Sequence, residues 1–142
     1  MVDVTNNIAE EKQIAYSLHS FGDETTYAID VVDSGISAVE TYTVVEIPKG
    51  KVFIGGTAMV VGDLASSGSA TVKLTVGSFD VTSAIGVANL KRGTVVAFNA
   101  GNAGSCKSNV VEVTPIKVTV ASAPLTSGKI VLNIKTVDVT KL

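Results

Sequence analysis

At 142 residues, with 46% apolar and only 17% charged side chains, the chain is long enough for one self-sufficient core and too apolar for disorder. Its single cysteine, Cys106, excludes an internal disulfide, and no apolar run approaches the roughly 18 residues of a membrane-spanning helix. The net charge of −2 conceals a split: residues 1–48 carry nine acidic groups against one lysine, −8, and residues 49–142 carry four against ten basic groups, +6. Such a split suits an acidic first part lying against a basic surface, its own or a neighbour's; two solvated, screened faces are the other reading. No basic segment precedes an apolar run at the start, so no signal peptide is expected. The lone cysteine fits synthesis in a reducing cytoplasm.

In chain order, Asn7–Phe21 carries the one helical pattern. Asn7 followed by Glu10 reads as a capping pair, Ile14, Leu18 and Phe21 recur at helical spacing, and Gly22 supplies a stop. The apolar stripe is thin, so an extended arm that orders on a partner is the second reading of the same residues. From Thr25 the pattern changes. "TTYAIDVVD" and "TYTVVEI" are rich in residues that suit a pleated, half-buried surface. Pro48-Lys49-Gly50 marks a turn, and Gly55-Gly56 inside "VFIGGTAMVV" marks a bulge or tight bend, because no helix start follows to make a phosphate loop.

The cleanest strand is 70–76, with Ala70, Val72, Leu74 and Val76 on one side and Thr71, Lys73 and Thr75 on the other. "TVVAF" is a short strand and "NAGNAGS" a loop. Pro115 disturbs the alternation of Val110–Val120, which predicts an edge, a bulge or a corner there. The last strand starts at Lys129, buries Ile130, Leu132 and Ile134, and slips phase near Lys135. Together these elements predict an all-β fold: an antiparallel, jelly-roll-like β-sandwich over residues 25–142, with an amino-terminal arm over 1–24. An immunoglobulin-like sandwich stays open as an alternative, without the Cys-Trp-Cys signature.

Reactive chemistry finds little support. His19 and Cys106 are single and far apart in sequence, which is too few ligands for a zinc site. Asp23-Glu24 and Asp30/Asp33 lack the alternating spacing of a calcium loop. His19 is the one available base for a nucleophile, and no serine sits in a strand–turn–helix setting. Glu40 or Glu46 with Glu112 formally supplies paired carboxylates, but the chain has no Trp to form a sugar platform. Lys91-Arg92 and Lys49/Lys51 are pairs rather than a basic stripe. The expectation is therefore no enzyme, no cofactor, no metal, no nucleic acid and no membrane, with function residing in surfaces.

Two segments, "TVVEIPKGKVFIGGTAMVVGD" (43–63) and "PLTSGKIVLNIKTVD" (124–138), set a strand, a Pro/Lys-Gly turn and a Gly-Gly strand ahead of a closing hairpin. Over roughly residues 40–140 this resembles small virion proteins of tailed bacteriophages, most of all capsid decoration (cement) proteins. The resemblance implies a structural protein on the outer surface of the phage head, made in the host cytoplasm and carried on the virion. Its partner would be the major capsid protein, bound as a homo-oligomer, trimer or dimer. The resemblance does not reach the arm. If the arm crosses to a neighbour, Ile8, Ile14, Leu18 and Phe21 are its apolar anchors. A tail or fibre component that binds a receptor is the alternative, and would show a surface aromatic cluster of Tyr16, Tyr27 and Tyr42. A tail-tube or adaptor protein would form rings by itself.

Overall fold

The computed structural model describes residues 2–14, 22–98 and 113–138. These residues form eleven strands: β1 (Val2–Asp3), β2 (Ala9–Ile14), β3 (Gly22–Asp30), β4 (Glu40–Ile47), β5 (Lys51–Ser66), β6 (Thr71–Val76), β7 (Phe79–Asp80), β8 (Ile85–Gly86), β9 (Val95–Phe98), β10 (Thr114–Ala121) and β11 (Leu125–Asp138). Single 3-10 turns occupy Thr5–Asn7 and Val87–Asn89. One sheet, A, runs β1-β4-β10-β6-β7, with β8 also on β6; the other, B, runs β2-β3-β11-β5-β9. Every pairing is antiparallel except β1 on β4. The molecule is an all-β sandwich.

The period of two in the sequence explains the layers. β6 buries Val72, Leu74 and Val76, and β10 buries Thr114, Ile116, Val118 and Val120, with polar residues between. From the facing sheet, β11 contributes Ile130, Leu132 and Ile134 and β5 contributes Ala58, Val60 and Leu64. Neighbours in sequence lie in opposite sheets: β3 in B, β4 in A, β5 in B, β6 in A, and again β10 in A and β11 in B. β10 and β11 are each inserted between strands formed from the first 76 residues.

Two irregularities predicted from sequence have their cause here. Pro115 stands in a strand with neighbours on both sides, not at an edge. Its carbonyl accepts from Gly77 on the β6 side at 2.8 Å, and the β6 ladder itself begins one residue later, at Ile116 opposite Val76. The missing N–H thus falls where the ladder has ended. A bulge does follow: Ile116 faces Val45 and Lys117 faces Thr43, so Val44 is extra and both Val44 and Val45 turn inward. The slip near Lys135 belongs to the partner strand. Lys135 faces Gly55 and Thr136 faces Phe53, which leaves Ile54 unpaired and half exposed on β5. Burial along β11 continues in phase through Thr136.

The helical reading of Asn7–Phe21 is corrected over its first half. Residues 9–14 are strand β2, paired antiparallel to β3 with Ala9 opposite Ala28 and Ile14 opposite Asp23. Asn7 caps no helix: its backbone N–H donates to Val4 O at 2.8 Å and its side-chain amide to Ser34 O at 3.3 Å. A helix carrying one thin apolar stripe gains little from packing, whereas the open edge of β3 offers a full row of backbone partners. Residues 15–21, which hold the rest of that pattern, lie outside the described residues.

Candidate interaction surface

Between the sheets lies an apolar gap of about 30 Å³, lined by Ile29, Val60, Leu74, Val118 and Leu132 among others, with room for about one water; its one polar side chain, Thr82, is bonded to Leu74 N and Ser83 O. Among the described residues no group of three His, Cys, Asp or Glu is placed to hold a metal ion, and no buried side-chain N or O lacks a hydrogen-bond partner. Asp30, weighed for calcium, serves the backbone, as does Asp63; Glu24 accepts from the Asn133 side chain. Asp30 Oδ1 accepts from Val32 N at 3.0 Å and Asp33 N at 3.1 Å, and Asp63 Oδ1 accepts from Arg92 N at 2.6 Å. Glu112, His19 and Cys106 lie outside the described residues.

The amino-terminal segment is a clasp across one edge. β1 extends sheet A beside β4, Thr5–Asn7 turns, and β2 extends sheet B beside β3. Val4 is 5% exposed and its N–H donates to Thr43 O at 3.1 Å. Asp3 Oδ1 accepts from the backbone N–H and hydroxyl of Thr5, at 2.9 and 2.8 Å. Those Thr5 bonds hold the Asp3 carboxyl below its usual range. Of the four proposed anchors, Ile8 is half-buried and packs against the chain's own core. Ile14 ends β2 opposite Asp23; Leu18 and Phe21 lie outside the described residues.

Tyr42 is 3% exposed, and its hydroxyl donates to Ala38 O at 2.8 Å. Burial pushes its pKa up. A tyrosine so placed ties the 31–39 loop to the start of β4 and contributes nothing to a surface aromatic cluster.

The outer faces of the two sheets differ in character. Sheet A presents Thr71, Thr75 and Thr119 with Lys73 and Lys117, all half-buried, and Lys73 pairs with Asp80 at 3.4 Å. Sheet B carries an apolar row instead. Ala28, Val131, Met59 and Val95 stand directly opposite one another across β3, β11, β5 and β9. Met59 is 43%, Val61 40% and Val95 57% exposed. The flanking row is polar: Asn133 Nδ2 donates to Glu24 Oε1 at 2.6 Å and Thr26 Oγ1 at 3.3 Å. On the other flank Lys129 Nζ sits 3.9 Å from Asp30 Oδ2. This ion pair joins the acidic first third of the chain to its basic remainder. An apolar strip rimmed by polar and charged groups is the usual anatomy of a protein contact.

The same fold occurs in bacteriophage capsids. The chain is similar to one in the capsid of Ralstonia phage GP4, with TM-score 0.55, 20% identity, and coverage of 89% of this chain and 91% of that one. It is similar to a chain in the acidic stable capsid structure of the Helicobacter pylori bacteriophage KHP30, with TM-score 0.56, 13% identity, and coverage of 91% and 93%. A third is in the capsid asymmetric unit of cyanophage Pam1, with TM-score 0.51, 18% identity, and coverage of 88% and 92%. No protein-family model matches the sequence, and no curated protein matches it. At these identities the likeness establishes the fold. Because coverage is high in both directions, each matched chain is about as long as this one.

Sequence reasoning missed the apolar row. Met59, Val61 and Val95 lie in runs where apolar residues stand on both faces, so a period of two separates inside from outside poorly. The available signal was that a lone sandwich strand should alternate, and "AMVV" does not.

Proposed function

We propose that the protein is a bacteriophage capsid decoration (cement) protein. It binds the outer surface of the phage head and stabilises contacts between major capsid proteins. The observation that carries this reading is likeness over about nine-tenths of both chains to three capsid chains of about its own length. Three features support it. The strand order, with β3-β11-β5-β9 facing β4-β10-β6-β7, supports a jelly-roll reading, an architecture recurrent in capsid domains. The gap between the sheets is small and apolar, which suits a role in shape and adhesion. The outer row of sheet B supplies an adhesive strip. The role is non-enzymatic and its location is the virion, after synthesis in the host cytoplasm.

The mechanism is mass action. A protein that binds the assembled lattice and not the free subunits shifts the equilibrium toward the lattice. Bridging two subunits makes the second contact intramolecular and adds avidity. The test is to mix the purified protein with undecorated heads of the phage that encodes it and to sediment the heads. Saturable co-sedimentation at a fixed ratio to the shell subunit, with raised resistance of the heads to heat, is expected. Heads that sediment bare at saturating protein would end the proposal. Met59→Glu combined with Val131→Glu places two charges in the apolar row, and should weaken binding at least about tenfold while leaving the fold intact.

A further inference from the structure

We infer that the free edge of β9 is a self-pairing site, through which two copies of this chain join their B sheets about a two-fold axis. The inference is independent of the capsid reading. It starts from how this molecule treats its other edges. Sheet A ends in two-residue strands that carry Asp3 and Asp80, and the far edge of sheet B, β2, reads AEEKQI with three charges. Short strands and charges are the devices that keep edges from pairing. β9 reads VVAF and has neither charge, proline nor glycine.

The register says which groups are free. Val60 N donates to Thr94 O at 2.9 Å, so by alternation Val96 and Phe98 turn their backbone groups toward β5; the Thr94 N–H itself closes a turn onto Lys91 O at 3.0 Å. The N–H and C=O of Val95 and Ala97 point the other way, and among the described residues neither takes a partner. These groups are self-complementary. In antiparallel pairing centred on Val96, Val95 stands opposite Ala97 of the partner subunit, and the two exchange both backbone bonds. The two-fold axis repeats the exchange, giving four hydrogen bonds and leaving none of the eight free groups unmade. The same axis keeps side-chain parity: Val96 meets its own copy on the core side, and Val95 and the partner's Ala97 share the outer face. No charge is brought opposite a like charge. An interface that matches itself is what a two-fold dimer requires.

The experiment combines sedimentation velocity on the full chain with amide exchange. A concentration-dependent dimer is expected, in which the Val95 and Ala97 amides exchange slowly at high concentration and fast on dilution. Val96 and Phe98, bonded to β5, should stay slow throughout. Ala97→Pro removes only the outward N–H and should weaken dimerisation at least about tenfold. Val95→Lys, at a 57% exposed side chain, is the companion variant should the proline disturb folding, with the same expected loss. A monomer up to roughly 100 μM, a trimer, a dimer in which Val95 and Ala97 exchange freely, or a dimer untouched by Val95→Lys would each overturn the inference.

Discussion

Tyr42 and Gly56 show how single residues hold this sandwich. Replacing Tyr42 by Phe keeps the buried ring and leaves Ala38 O without its donor, at a cost of about 1 kcal/mol. Because burial raises the Tyr42 pKa, the folded state holds that proton more tightly than the unfolded chain. Stability from this group is therefore complete below the ordinary tyrosine pKa and declines as pH rises through the folded value. Urea midpoints for the native protein and Tyr42→Phe should converge in alkali, above about pH 10. At Gly56, an added Cβ would strike the Asn133 carbonyl and lie 3.0 Å from the Phe98 ring. The Phe98 ring lies over this bare backbone and against Phe53, with centroids 6.4 Å apart. Gly56→Ala should cost about 1–3 kcal/mol by thermal melting. Gly86→Ala is the control: nothing lies within 4 Å of the new Cβ and φ is −65°, so its effect should be neutral or mildly stabilising.

Among elements, the amino-terminal clasp is the one whose removal is most informative. Val4→Ala should cost about 2 kcal/mol, the loss of a buried branched side chain. Deleting residues 1–14 should cost more than that, since it also bares the edges of β3 and β4 and uncovers the core beside Ile8; a lowered melting temperature and binding of a hydrophobic dye would register it. The clasp also marks where sequence reading ran out. β6 and the second half of β10 were legible because apolar and polar residues alternate over six or more positions. Gly55-Gly56 announced a bulge because glycine in a strand has few other uses. For residues 9–14, by contrast, β3 supplies the backbone partners, and nothing in AEEKQI encodes the arrival of a strand from residues 22–30. Pro115 signalled the bulge beside it, but not that its strand lies inside the sheet, because its tolerance depends on where β6 stops.

At the scale of the molecule, the two outer faces make opposite demands on solvent. A lattice contact made through Met59, Val61, Val95 and Val131 removes apolar area, so binding to heads should show a negative heat-capacity change. It should also depend only weakly on salt, because the rim charges, such as Asp30 with Lys129, are already partly neutralised within the chain. Calorimetry of the protein with undecorated heads at two salt concentrations checks both; a steep loss of affinity with salt would move the contact to the lysine-bearing face of sheet A.

The position of β10 and β11 has a further consequence, for biosynthesis. Each sheet needs one of them as its middle strand, so β3 and β5, or β4 and β6, have no bridge to one another until residues 114–138 are in place. While those residues are still in the ribosomal tunnel, the earlier strands hold unpaired inner edges and no shared layer. Folding therefore waits for residues 114–138 to emerge, and closure of such distant pairings makes it slow. A chaperone acting on this protein would have to act before residues 114–138 emerge.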